Sequence, residues 1–384
     1  MRIRRGGRHA RARTFVGALA ALALALAVAA PVAGAVPAKF WGVAPQSLPT
    51  EEQFQRLARG GVDALRFPVE WSAVENTRGE PNWDYVDSLV AGVTASGIEP
   101  LPFLTGAPAW AVKSISVNAA SHSFAPLSLP VRTAAERSGW ENFLREAVGR
   151  YGPGGVFWSE HPGLPYVPIR TWQIWNEPNF KYFAAHPDPV DYGQLVKLSY
   201  TTIKGLDPGA QLILGGLFAE PKEAEGRYKK IRPRPALLAT EFLSQMYRST
   251  PGIRSKFQGI ALHPYSVRYQ NLEPEIERVR KVLRQNGDAG KGLWITELGW
   301  SSESPDGHSD LFAKGANGQA RELKGAFKLL VRNQVRWKLK RVFWFSVDDR
   351  PGLCNFCGGS GLFAKGFVPK PSWDAYVQFA GGTP

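Results

Sequence analysis

The chain has 384 residues and a formal charge of +14, from 47 Lys and Arg against 33 Asp and Glu. It carries only two cysteines, Cys354 and Cys357 in GLCNFCGG. Two thiols alone cannot complete a structural zinc site, and no thioredoxin-like context surrounds them.

The first 35 residues read as a secretory leader. Arg2, Arg4, Arg5, Arg8, Arg11 and Arg13 form a basic head, an apolar run fills 15–30, and Ala33-Gly34-Ala35 makes a small-residue end. Cleavage is expected before Val36. Retention as a membrane anchor is the alternative, since no charge falls between Arg13 and Lys39. Arg4-Arg5 resembles a twin-arginine pair, although the residues after it fit that export signal poorly. Without the leader, 41 basic and 33 acidic residues remain, a net of +8. The excess gathers in RVRKVLRQ (278–285) and RNQVRWKLKR (332–341), both read as helical, and in the loop RYKKIRPR (227–234). Export argues against nucleic acid as a partner and predicts that Cys354 and Cys357 close a small loop as a disulfide. A solvated basic surface is the plain reading of this excess, and acidic polymers or an anionic cell envelope are the candidate partners. No segment after the leader is apolar enough to span a membrane.

About 350 residues then remain, a normal length for one α/β barrel. They read as strand, loop and helix repeated eight times. The predicted strands are AKFWGVAP (38–45), DALRFPV (63–69), IEPLPFLTG (98–106), IRTWQIWN (169–176), AQLILGGL (210–217), FQGIALHP (257–264), GLWITELG (292–299) and RVFWFSVD (341–348). Most are continuous apolar runs, as expected of parallel strands covered on both faces. Between them, Thr50-Glu51-Glu52-Gln53 and Thr133-Ala134-Ala135-Glu136 are capping boxes that open helices. Asp188-Pro189 places Pro at a first helical position, and 318–333 is apolar at helical spacing. The long gap before the fourth strand holds a helix and two irregular pieces, 113–130 and 151–168. Eight units in one domain, 36–384, predict a (β/α)8 TIM barrel. An open doubly wound sheet is the alternative, weakened by the lack of a glycine-rich nucleotide fingerprint.

In such a barrel, polar residues at the C-terminal ends of strands read as active site. Strand two offers Arg66 with Glu70 and Trp71 beyond, and strand four ends in Asn176-Glu177. Strand six ends in His263-Pro264-Tyr265, strand seven in Glu297 with Trp300 beyond, and strand eight offers Trp344, Asp348 and Asp349. Glu177 and Glu297 can therefore face each other across the mouth. Glycosidic cleavage needs two such carboxyls, one protonated to donate to the leaving oxygen and one ionised to attack or to activate water. Glu177 is assigned as acid/base and Glu297 as nucleophile. Asn176 is expected to bind a sugar hydroxyl, Arg66 and Tyr265 to hold Glu297, and Trp344 to floor the sugar. His263, Trp300 and Asp348 are further candidate substrate contacts. His263 and the nearby acids lack a spacing such as H-E-x-x-H, so neither a catalytic metal nor a cofactor is expected.

TWQIWNEPN on strand four, HPY on strand six, LWITELGW on strand seven and a Trp on strand eight resemble the retaining glycoside hydrolases of clan A. They are most similar to glycoside hydrolase family 39 and related bacterial exopolysaccharide glycosidases. The closing segment GLFAKGFVPKPSWDAY resembles that group as well. The resemblance implies a retaining hydrolase in which the Glu of N-E-P is acid/base and the Glu of strand seven is nucleophile, matching Glu177 and Glu297; a monomer is expected. Many clan members carry a His near strand three, and LPFLTGAPAW has none. The substrate class is a poly- or oligosaccharide, acidic if the basic loop 227–234 lines the groove. A non-catalytic carbohydrate-binding or cell-envelope protein on an inactive barrel is the second reading.

Overall fold

In the computed structural model, residues 36–112, 128–219, 236–304, 311–352, 354 and 356–384 are described. The expected leader, most of the 113–130 piece and the whole basic loop 227–234 lie outside them. Eight strands close into one barrel in chain order. They are β1 (Trp41–Ala44), β2 (Ala64–Glu70), β3 (Glu99–Thr105), β4 (Thr171–Asn176), β5 (Gln211–Phe218), β6 (Gly259–His263), β7 (Gly292–Ile295) and β8 (Leu339–Phe345). Every neighbouring pair is parallel, and β8 returns to β1 with Trp41 opposite Val342 and Ala44 opposite Phe345. The closed ring removes the open-sheet alternative, and each predicted strand overlaps an observed one. Among the described residues, no helix is long and apolar enough to cross a membrane.

Helix starts follow local chemistry. Thr50 and Thr133 both form complete capping boxes, opening the helices Glu51–Arg59 and Ala134–Tyr151. Each hydroxyl accepts from an amide the first turn cannot satisfy, and the partner Gln53 or Glu136 reaches back. Asp188 caps Pro189–Leu206 through the amides of Val190 and Asp191, with Pro189 in the first turn. The stretch 332–341 is a correction to the helical expectation. The helix Ala316–Arg332 ends there, one turn follows at Gln334–Trp337, and Lys338 takes φ 54. That left-handed residue stops the helix and lets the fully buried Leu339 begin β8. The 151–168 piece also holds a short helix, Val156–Glu160.

The barrel interior begins with a layer of Ala64, Leu101, Ile213, Ala261, Trp294 and Phe343. Strand alternation then fixes what points inward above it. On β2, Arg66 lies two residues beyond Ala64. On β8, Phe345 lies two beyond Phe343, while Trp344 faces outward against Phe327 of the surrounding helix. Glycines make room at two crossings: a Cβ on Gly42 would fall 2.4 Å from the Phe343 ring, and one on Gly216 would fall 1.9 Å from Nε2 of His263.

The box at Thr133 is the more demanding of the two, because Glu136 is buried and its Oε2 accepts from the amides of both Arg132 and Thr133. Thr133→Ala is expected to lower stability by about 1 kcal/mol, read from the denaturant midpoint. An unchanged midpoint would show that tertiary packing alone holds that helix.

Candidate active site

Arg66 is 2% exposed, and all three of its guanidinium nitrogens are occupied. Nη1 donates to Glu297 Oε1 at 2.7 Å, Nη2 to Asn176 Oδ1 at 2.7 Å, and Nε to Gln173 Oε1 at 3.0 Å. The planar group also lies 4.1 Å from the Phe103 ring centroid, a cation–π contact. Burial pulls the Arg66 pKa down and Glu297 opposes that pull, and guanidinium remains the cation here.

Glu177 reaches the mouth through an interruption of β4. Trp175 has φ 69 and Glu177 φ 39, both in the left-handed region that non-glycine residues rarely adopt. The break in alternation turns the Trp175 indole outward onto Trp140, 5.9 Å between centroids, and brings Asn176 to Arg66. The bend is tied on both sides. Gln173 Nε2 donates to Trp175 O at 3.0 Å, and Tyr192 donates its hydroxyl to Ile174 O at 2.9 Å. Asn179 bonds Phe218 N, Phe218 O and Leu237 O with its amide.

The two glutamates meet around His263. Glu177 Oε1 is 2.7 Å from His263 Nδ1, and Glu297 Oε2 is 3.5 Å from the same nitrogen. His263 Nε2 lies 2.9 Å from Thr296 Oγ1. Tyr265 donates its hydroxyl to Glu297 Oε2 at 2.8 Å. One oxygen of each glutamate and a His263 nitrogen all fall within 4.8 Å of one another. Burial first, and then the charge of Glu297, push Glu177 well above the ordinary glutamate range. Burial also raises Glu297, but Arg66 and the Tyr265 bond pull it back. Burial, reinforced by Arg66, pushes His263 well below its ordinary value, so it is neutral. The site can thus hold a protonated Glu177 beside an ionised Glu297. The same three side chains have the spacing of a cation site, but the carboxylate of Glu297 is already balanced by the protein's own guanidinium.

The structure brings Arg66, Asn176, Glu177, His263, Tyr265 and Glu297 into one cluster. It corrects three other expectations. Trp344 is fully buried, donates its indole N–H to Ser360 O at 3.0 Å, and has no surface to floor a sugar. Trp300 is likewise buried, donating to Ser266 O at 2.8 Å. His263 is 0% exposed with both nitrogens engaged, so it sits beneath the carboxylates instead of contacting substrate. Asp348 is half-buried and paired with Arg350 at 2.9 Å, and Asp349 pairs with Lys370 at 2.8 Å. Cys354 and Cys357 form the expected disulfide.

The inward aromatic at the mouth end of β8 is Phe345, one residue beyond the expected tryptophan. It packs with Ala44 and Cys357 and meets Tyr265 edge-on at 6.4 Å. Counting by two from Phe343 would have found it, but the unbroken apolar run VFWF hides the period. Gln173 and Thr296 were also passed over, although each is a polar side chain inside an apolar strand end. Glu70 shares the inward face of β2 with Arg66, and burial raises its pKa.

No family model matches the chain. A curated β-xylosidase of Geobacillus stearothermophilus is 28% identical over 219 residues, 55% of this chain and 41% of that protein. The chain therefore spans about two fifths of that relative's length. Among solved structures, a family 39 glycoside hydrolase from Bacteroides cellulosilyticus superposes with TM-score 0.60 at 22% identity, over 90% of this chain and 64% of that one. A monomeric β-xylosidase from Caulobacter crescentus gives 0.59 at 17%, over 89% and 68%. An intracellular xylanase from Thermoanaerobacterium saccharolyticum gives 0.57 at 16%, over 88% and 94%. At such identities the structural likeness establishes the fold, and it agrees with the family 39 resemblance of the motifs.

The raised pKa of Glu177 has a consequence for stability. Below the ordinary glutamate value of 4.5 both folded and unfolded chains hold the proton. Above it the unfolded chain releases the proton, while the fold must keep it or bury a charge, so Glu177 costs stability as pH rises. Glu177→Gln is therefore expected to melt higher than wild type at neutral pH, the gain fading as pH falls toward 4.5. A gain independent of pH, or a less stable variant at neutral pH, would contradict the assignment.

Proposed function

We propose that the chain is an exported retaining O-glycoside hydrolase acting on a poly- or oligosaccharide. The observation that carries this reading is a pair of carboxyls with one oxygen of each within 4.8 Å, Glu177 bonded to the buried His263 and Glu297 clamped by Arg66 and Tyr265. Retaining enzymes space their carboxyl groups at about 5–5.5 Å, whereas inverting ones need about 6.5–9.5 Å to admit a water. The approach of one oxygen from each carboxyl to within 4.8 Å favours the closer arrangement and supports double displacement.

In the first step a Glu297 oxygen attacks the anomeric carbon as the bond to the leaving oxygen breaks and Glu177 protonates that oxygen. In the second, water attacks the glycosyl–Glu297 ester, giving its proton to Glu177 and releasing Glu297 as carboxylate. Arg66 and Tyr265 hold Glu297 in line and steady its charge in both steps. Asn176, whose Oδ1 is taken by Arg66, keeps its amide N–H groups for a sugar hydroxyl. Phe345 replaces Trp344 as the aromatic offered to the ring.

The basic leader and its small-residue end support cleavage before Val36, leaving 36–384 as the mature barrel. The names of the relatives make β-xylosides and xylo-oligosaccharides the first substrates to try. Acidic polysaccharides follow from the basic loop 227–234.

The test is hydrolysis of that panel with product sizing. Glu177→Ala is expected to lower kcat/KM by about 10²- to 10⁴-fold on unactivated substrates, the share of a general acid, and Glu297→Gln to lose at least as much while still binding sugar. Proton NMR of the first product should show the starting anomeric configuration. Polymer binding with no release of reducing ends would favour a non-catalytic barrel, and an inverted product would overturn the retaining mechanism.

A further inference from the structure

Beneath the two carboxyls lies a relay that the two-carboxylate chemistry does not itself require. His263 ends β6 and Thr296 follows β7, and both side chains are fully buried. Their backbones are fixed to one another, since Thr296 N donates to Leu262 O at 3.2 Å. Gly216 packs so closely on the imidazole that no larger residue fits without moving the ring. The ionisable groups facing that ring are Glu177, Glu297, Arg66 and Tyr265.

We infer that Thr296 locks His263 as its Nδ1–H tautomer, and that this N–H occupies Oε1 of Glu177, so the transferable proton resides on Oε2.

Hydrogen-bond accounting selects this arrangement. A neutral imidazole has one N–H and one bare nitrogen. The Thr296 hydroxyl is a donor in a site with 0% exposure, and the imidazole is the partner the structure gives it. If Nε2 carried the proton, it would donate to the Thr296 oxygen, and the hydroxyl hydrogen would be left with no acceptor among the described residues. With Thr296 donating to Nε2, the proton falls on Nδ1. That nitrogen faces two carboxyl oxygens, at 2.7 and 3.5 Å. A bare lone pair there would oppose the charge of Glu297, whereas an N–H is attracted by both. Glu177 Oε1 then accepts throughout, and Oε2 has no protein partner among the described residues.

The consequence for catalysis rests on the glycosidase reading above. When Glu177 donates, its Oε2–H bond breaks and a new O–H bond forms at the leaving oxygen. The Nδ1–H···Oε1 bond stays and strengthens as charge develops on the carboxylate. In the return step, Oε2 takes the proton of water. His263 and Thr296 are positioning residues: neither touches substrate, but they decide which oxygen is the acid. Loss of the Thr296 hydroxyl frees the imidazole to turn to Nε2–H; the Glu177 proton then sits on Oε1 as a hydrogen bond to the bare Nδ1, away from the substrate.

The test has two arms on the mature full chain, with Thr296→Val and Thr296→Ser. Nitrogen-15 NMR of the imidazole is expected to show Nδ1 protonated and Nε2 bare in wild type and in the Ser variant. Kinetics on aryl β-xylosides of rising leaving-group pKa should show kcat/KM falling more steeply for Thr296→Val. Its loss should reach about 10-fold or more on the poorest leaving group, part of a general acid's contribution, with most of it restored in Thr296→Ser. An Nε2–H tautomer in wild type overturns the inference, as does an equal loss across all leaving groups in the Val variant. The wild-type spectrum decides the tautomer even if the Val variant fails to fold. Absence of turnover by wild type on any panel member would sink the glycosidase reading while leaving the spectrum to judge the tautomer.

Discussion

The guanidinium of Arg66 is buried inside a barrel that is otherwise apolar one layer below, and a buried cation is expensive unless every donor is met. Here a carboxylate and two side-chain amides meet it, from β4 and from the segment after β7. Removing one partner of such a pair typically costs about 3–5 kcal/mol, because the other charge is left stranded. The same contacts fix the orientation of Asn176 and the charge of Glu297, and that charge adds to the burial that raises Glu177. Stability and chemistry therefore lean on one side chain.

The second constraint is geometric. A regular strand would alternate Gln173, Trp175 and Glu177 on one face and leave Asn176 on the other. Two left-handed residues, Trp175 and Glu177, change that sequence of faces. Each such conformation costs on the order of 1–3 kcal/mol. The cost is offset by buried bonds from Tyr192, Gln173 and Asn179 and by the packing of the Trp175 indole. WNEPN is thus two devices in one stretch: Asn176 and Glu177 for the site, and Trp175 and Asn179 to hold the bend that delivers them.

Much of this was legible in the sequence because the signals are local. Capping boxes at Thr50 and Thr133, the Pro at 189 and eight apolar runs specify helices and strands through nearest-neighbour chemistry, and the barrel follows from their order. Glu177 and Glu297 stood out because a carboxylate at the end of an apolar strand has few bland explanations. What could not be read was facing. In strands buried on both sides the two-residue period is invisible, so the run offers Trp344 as readily as Phe345, and Phe345 holds the inward place. The reach of Arg66 to three partners was hidden for another reason: Gln173 and Asn176 lie 107 and 110 residues away from it. His263 looked like a sugar ligand until its two nitrogens were seen to be committed below the carboxyls.

The central claim is that the two glutamates differ in protonation because Arg66 and Tyr265 hydrogen-bond Glu297, whereas Glu177 bonds the neutral His263. The most direct measurement is carboxyl titration by infrared difference spectroscopy, comparing wild type with Glu177→Gln and Glu297→Gln across pH. The expected result is a protonated carboxyl band persisting well above the ordinary glutamate range, absent from Glu177→Gln, while Glu297 ionises at lower pH. A band that survives Glu177→Gln and disappears with Glu297→Gln would reverse the assignment of acid and nucleophile.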